Sequence, residues 1–231
     1  MATTNSTTIR VEFFHDVMSC WCFHASERLR AIVADQPDIE VIHRSWPLAT
    51  DPSLLGKLFP SMDAAREEIC GEHWKDSHDV ENDPRINYPL MLTRSFDYPY
   101  SMPSQRGCKA AQKQGGHQAH WDYFDRAQKA HLTDCIDTAD PQVLAQCAAD
   151  VGLDVDQWRA DFEDTAARDA EIFADVEIAK GYGILRAPTL VADGKHQCHG
   201  ECWSTFGHRI TTERLQMYFE DIRRGRQIGR T

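Results

Sequence analysis

The sequence predicts an α/β protein whose core is split by an all-helical insertion. Three observations predict it. A β-α-β pattern opens the chain over residues 8–45, a long block of helical spacing follows, and strand alternation returns only at residues 187–199, ahead of one last amphipathic helix. The core is therefore assigned to residues 8–50 and 166–225, and the helical insertion to 51–165. The 231 residues suit one large domain or a small domain carrying an insertion, and a 42% hydrophobic content is enough to fill a core.

Each element has its own signal. Residues 8–15 alternate and then turn apolar, as a strand does. Residues 21–34 read as a helix with Phe23, Leu29, Ile32 and Val33 towards the core. Asp38 to Ser45 puts Ile39, Val41 and His43 on one face of a second strand. Residues 50–104 read as irregular, with six prolines and several polar turns, and 104–165 as helical. Within that block Trp121 and Phe124 mark one helix. Asp140-Pro141 starts another, Asp as N-cap and Pro at the first position, and Gly152 stops it after Leu144, Cys147, Ala148 and Val151. Trp158 and Phe162 mark the next, and Ile172, Val176 and Ala179 one that ends near Gly181. Asp193-Gly194 reads as a two-residue hairpin turn between strand 187–192 and a return strand at 195–199. Leu215, Tyr218, Phe219 and Ile222 mark the final helix.

The formal net charge of −11 disfavours phosphate backbones and anionic lipid, so neither nucleic acid nor membrane is expected as a partner. Met1 to Thr8 has no apolar stretch of signal-peptide type, and no apolar run is long enough to span a bilayer, so a cytoplasmic location is expected. In that compartment the eight cysteines do not read as a structural disulfide framework. The ordinary reading of a lone cysteine is a small buried hydrophobe, and it suits Cys108 and Cys147 on helical apolar faces. Cys20/Cys22 and Cys198/Cys202 come as close pairs and suggest chemistry.

Cys20 and Cys22 sit where the first strand runs into the first helix. A helix N-terminus favours the thiolate, because its unpaired N–H groups and dipole stabilise an anion, so a lowered thiol pKa is expected. Ser19 fits the N-cap. Residues two apart on a helix are rotated by about 200°, so the two thiols diverge, whereas Ser19 and Cys22, three apart, share a face. Ala187-Pro188-Thr189 opens the third strand, and Pro188 is a candidate cis-proline. With a two-residue turn at Asp193-Gly194, Thr189 lies opposite Cys198, which brings Cys198, His199 and Cys202 to the same rim as Pro188. Their spacing permits an auxiliary redox pair or soft-metal ligation. His15 and Asp16 end the first strand and could tune the thiols or move protons. His73, His78, His117, His120 and His131 lie in the insertion, and His117 and His120, at i, i+3 spacing with no convincing partner, read as a solvated face. No phosphate loop, nucleophile elbow or zinc-protease motif is present.

On these residues the chain resembles the DsbA-like thioredoxin superfamily, and within it the cytosolic FrnE-like branch. The matching segments are Phe13-Phe14-His15-Asp16-Val17 leading to Trp21-Cys22, Arg44-Ser45-Trp46-Pro47-Leu48, Tyr123-Phe124-Asp125-Arg126-Ala127-Gln128, Gly152-Leu153-Asp154, and Gly181 to Thr189, across roughly residues 8–220. The resemblance implies a thioredoxin-like core with an inserted helical subdomain. It also implies thiol–disulfide exchange at the junction, with Pro188 shaping a groove and Trp21, Ala187 and Thr189 contacting substrate. The branch carries Asp-x-x-Cys-Pro-Trp-Cys. Aligned on Asp16, Trp21 and Cys22, this chain has Ser19 in place of the first cysteine and Cys20 in place of the proline. The related kappa-class glutathione transferases and hydroxychromene-carboxylate isomerases resemble Asp-x-x-Ser-Pro, and Ser19 matches their glutathione-contacting serine.

The leading expectation is a protein disulfide oxidoreductase or isomerase, acting on a thiol or disulfide protein or on glutathione through Cys20 or Cys22. A glutathione-dependent transferase or isomerase using Ser19 is the alternative. A soft-metal-binding or redox-sensing protein ligating through Cys20, Cys22, Cys198 and Cys202 is the third. No resident cofactor is required by the first reading; glutathione, a soft metal and a homodimer stay open.

Overall fold

The computed structural model describes residues 8–204 and 207–226, with side chains except at 202–204 and 207. The chain opens with β1 (Ile9–His15), α1 (Cys20–Asp35) and β2 (Ile39–Ser45). A helical block follows: α2 (Pro52–Leu58), α3 (Met62–Glu68), a π-helical stretch Ile69–Trp74, α4 (Lys75–Glu81), α5 (Tyr88–Leu92), α6 (Ser101–Gln128), a second π-helical stretch Lys129–Thr133, α7 (Pro141–Asp150) and α8 (Val155–Glu163). Then come α9 (Thr165–Tyr182), β3 (Thr189–Ala192), β4 (His196–Cys198), β5 (Glu201–Ser204), β6 (Gly207–Arg209) and α10 (Thr212–Arg223).

The main sheet has the order β2-β1-β3-β4, with β1 parallel to β2 and the β1–β3 and β3–β4 pairs antiparallel. The central strand β1 is buried at every position but Arg10, because helices cover both faces of the sheet. Alternation sends Phe13 and Leu190 into the larger cluster with Leu29 of α1, Leu215 and Phe219 of α10, and Phe124 and Trp158 of the helical block. Phe14 and Val191 point the other way, onto Ala179 of α9. A third cluster joins Met18, Cys20 and Trp21 to Leu55, Trp74, Met91 and Tyr98, so the insertion closes over the end of β1 where the strand meets α1.

Residues 50–104 are not irregular: four short helices and a π-helical stretch occupy them. Their prolines mark helix starts. Pro52 and Pro89 stand in the first turns of α2 and α5, where a missing N–H costs nothing, and Asn87 caps α5 by accepting from Leu90 N–H. The hairpin also differs from expectation by one residue. Lys195 N–H does bond Ala192 O (3.1 Å), but the ladder begins at Ala192 opposite His196, so Cys198 lies opposite Leu190 and not Thr189. Asp193 and Gly194 both take left-handed φ (50° and 69°), and Lys195 is left outside the ladder. The β5–β6 ribbon, unanticipated by the sequence pattern, follows directly.

Candidate active site

The junction between β1 and α1 is built on a buried carboxylate. Asp16 accepts hydrogen bonds from Leu48 N–H (2.6 Å), Met18 N–H (3.1 Å), Ser101 Oγ (2.6 Å) and Gln105 Nε2 (3.4 Å). Burial raises its pKa, and those four bonds pull the other way. Gln128 of α6 fixes the same loop through its backbone, donating to the carbonyls of Ser19 (2.9 Å), Asp16 and Val17 (3.3 Å each). The loop is therefore tied from β2 and from α6 before the first helical residue begins.

Ser19 is the N-cap of α1, with Oγ accepting from Cys22 N–H at 3.2 Å. Cys20 and Cys22 then diverge, as the helical rotation requires. Cys20 enters the cluster formed with the insertion, and its Sγ–H points to His73 O at 3.6 Å. Cys22 is fully buried in the larger core cluster with Val17, Ala25 and Leu29. Neither thiol is activated. Burial pushes each from the ordinary value of 9.0 up to about 12. The expected lowering by the helix N-terminus is overturned on magnitude: a helix end contributes about 0.3–2 kcal/mol, whereas a rise of three pKa units corresponds to about 4 kcal/mol.

Cys20, Ser19, Trp21 and Met18 line a cavity of about 110 Å³, its mouth open to solvent. Its other walls are apolar and aromatic, chiefly Leu48, Leu55, Phe59, Trp74 and Tyr98. Cys22 does not reach it. Trp21 is 3% exposed, and its buried indole Nε1 has no hydrogen-bond partner.

The second segment meets the first from the other side. The Ala187–Pro188 peptide is cis. Thr189 pairs with Phe14 in the sheet, which sets Pro188 level with the end of β1. Ala187 packs in the cluster of Cys22, not that of Cys20, and Thr189 Oγ1 donates to Arg186 O at 2.8 Å. The expected thiol rim is corrected. With the one-residue change of register, Cys198 is fully buried in the core, where burial raises its pKa to about 11. His199 is half-buried and hydrogen-bonds Gln197 Oε1 at 2.8 Å. Cys202 Cα pairs with His208 across the β5–β6 ribbon, and its side chain lies outside the described residues. Cys20 and Cys22 occupy different apolar clusters, which separates two members of the proposed four-sulfur set.

A family model for the DSBA-like thioredoxin domain matches residues 10–210. The chain belongs to that family. Solved structures agree on the fold. The cytosolic disulfide reductase DsbM from Pseudomonas aeruginosa superposes with a TM-score of 0.65 at 19% identity, covering 93% of this chain and 98% of that one. The same protein with GSH gives 0.67 at 17% identity, covering 93% and 99%. A 2-hydroxychromene-2-carboxylate isomerase gives 0.55 at 16% identity, covering 93% and 95%. No curated protein matches the sequence.

In this DSBA-like chain the residues that hold the junction escaped the sequence reading. Ser101, Gln105 and Gln128 are polar residues inside a long helix, and nothing local marks them as partners of a loop some 85 to 112 residues away. The His117/His120 pair is not a solvated face: His120 is fully buried and His117 half-buried. No helix among the described residues is long and apolar enough to cross a membrane.

Proposed function

We propose that the protein is a thiol–disulfide oxidoreductase that works through one thiol, Cys20. One observation carries the reading: of the two sulfurs at the junction, Cys20 faces the cavity and Cys22 faces the core. In the first step Cys20 Sγ, as thiolate, attacks the glutathione sulfur of a mixed disulfide between glutathione and the substrate. A new S–S bond to Cys20 forms, the old one breaks, and the substrate sulfur leaves as a thiolate and takes up a proton. Cys22 points away and cannot resolve the adduct, so a second glutathione attacks it, releasing glutathione disulfide and regenerating Cys20. Glutathione is a co-substrate here, in keeping with a reducing cytoplasm, and no resident cofactor is needed. Trp21 supplies an apolar wall for the substrate, while Ala187, Pro188 and Thr189 brace the junction from the Cys22 side. The resting thiol is protonated, so the rate climbs about tenfold per pH unit above neutrality.

The test is adduct mapping. After exposure to glutathione disulfide, mass spectrometry of peptides is expected to place the glutathionyl group on Cys20 and leave Cys22 free. An adduct on Cys22, or an internal Cys20–Cys22 bridge, overturns the single-thiol reading.

A second reading rests on Ser19, which lines the same cavity. Walls so largely apolar and aromatic suit a flat hydrophobic co-substrate, and the Ser19 hydroxyl would then hold the glutathione sulfur in a transferase or isomerase. Conjugation of glutathione to an aromatic electrophile that survives Cys20→Ser and fails in Ser19→Ala selects this reading.

A further inference from the structure

Three histidines from three elements meet beneath the sheet, apart from the thiol cavity. His15 ends β1, His43 lies on β2 opposite Phe13, and His120 comes from α6. All three are fully buried. One nitrogen of each ring lies within 4.8 Å of the other two, and the ring centroids are 4.9–5.2 Å apart. Phe13, Trp121 and Phe124 pack around them.

Hydrogen bonding leaves this cluster incomplete. His120 Nδ1 lies 2.9 Å from Gln112 Oε1, an acceptor, so the proton is on Nδ1 and Nε2 carries a bare lone pair. His15 Nε2 and His43 Nδ1 are 3.0 Å apart and share one proton between them. The outer nitrogens, His15 Nδ1 and His43 Nε2, and His120 Nε2, have no partner. Counting three protons for three neutral rings, either tautomer of the His15–His43 pair leaves two lone pairs bare in an apolar cage. Unpaired polar atoms of this kind cost free energy, and a cation held by His120 Nε2 with the facing nitrogens of His15 and His43 would take up the His120 lone pair and replace the proton the other two share.

The backbone is shaped to deliver His120. α6 breaks at Gly115-Gly116, and Gly116 adopts φ 63° and ψ −152°, a conformation closed to side-chain-bearing residues. Just after the kink, His117 Nδ1 accepts from His43 N–H at 3.1 Å and latches the second half of α6 to β2. The 3.0 Å between His15 Nε2 and His43 Nδ1 also compares with the separation of about 3.3 Å expected for two nitrogens on one tetrahedral zinc.

We propose that His15, His43 and His120 form a buried three-imidazole site for a d10 transition-metal ion, Cu(I) or Zn(II). Imidazole suits both ions. The set contains no carboxylate, and Lys109 adds positive potential that its partner Asp175 offsets. The cost of burying an ion grows with the square of its charge, so the environment favours Cu(I) over Zn(II). The site is closed, and loading accompanies folding.

The test is refolding from denaturant and chelator under reducing conditions with Zn(II), Cu(I) or Co(II). The expected result is one ion per chain resistant to dialysis, with nitrogen-only scattering in the metal's X-ray absorption spectrum. Cobalt is expected to give visible d–d bands without sulfur charge transfer. His120→Phe is expected to lose the ion and Cys20→Ser to keep it. Absence of retained ion with all three metals, sulfur in the first shell, or unchanged loading in His120→Phe each overturns the proposal. The spectrum is read on the unmodified chain, so the answer stands even where the variant fails to fold.

Discussion

Cys20 and Cys22 are two residues apart, equally buried and equally hard to ionise, yet they belong to different halves of the molecule. Cys22 is packed by the α/β core, among side chains from α1 and the sheet. Cys20 is packed by the insertion, beside Trp74, Tyr98 and the carbonyl of His73, and looks into the cavity. Just over half a turn of helix thus sends one sulfur into the core and the other to the cavity. The difference between the two sulfurs lies in which layer each side chain faces, not in its distance along the chain from the helix start.

The largest expected effect breaks this comparison directly. Cys20→Ser is expected to bring glutathione-linked disulfide reduction down to the uncatalysed rate with little change in stability. Cys22→Ala is expected to keep the activity and lower stability by about 1–2 kcal/mol, the cost of a small core cavity. Turnover assays with urea unfolding on both variants check it. The reverse pattern would move the site to the core face.

Next in size is the carboxylate that both halves share. Asp16→Ala strands the N–H groups of Leu48 and Met18 and the Ser101 hydroxyl in a buried loop. At about 1–3 kcal/mol for each unsatisfied buried group, a combined loss of about 3–5 kcal/mol is expected from urea melts. A loss below about 1 kcal/mol would show that the loop is held by Gln128 alone.

The pH dependence of stability compares the two thiols on equal terms. A thiol whose folded pKa is raised contributes its full share below the unfolded value near 9.0, and loses stability as pH climbs towards the folded value of about 12. At pH 10 each thiol is expected to have cost about 1.4 kcal/mol relative to neutral pH. Urea midpoints between pH 8 and 10.5 should therefore fall, and Cys20→Ser and Cys22→Ala should each flatten the slope by a similar amount. A flat profile in the parent chain would mean that the thiols are better solvated than their packing indicates.

What could be read from the sequence was what neighbours in the chain decide. Asp140 and Pro141 start α7 as their chemistry dictates, Ser19 caps α1, and the 200° divergence of Cys20 and Cys22 follows from helix geometry alone. The hairpin register was missed by one because Lys195 stays outside the ladder, a choice made by the sheet and not by the turn dipeptide. The thiol pKa direction was missed because burial is a tertiary effect: Cys20 is covered by the insertion, which pattern had left as irregular, and Cys22 by the packed α/β core. His120 looked solvated because its partners, His15 and His43, are strand residues 105 and 77 positions earlier.

Ser19 gives the smallest stability effect and the sharpest division between the two readings of the cavity. Its Oγ accepts the Cys22 N–H, so Ser19→Ala removes an N-cap worth about 1 kcal/mol. That loss belongs to the core side of the helix and should appear as a modest drop in the urea midpoint. Cys20 keeps its position, because Gln128 holds the Ser19 carbonyl and not its side chain. If Cys20 is the reacting sulfur, disulfide reduction by Ser19→Ala should stay within a few-fold of the parent chain. If Ser19 holds a glutathione sulfur, turnover should collapse while stability falls by the same small amount, and the site would then belong to the hydroxyl at the helix cap.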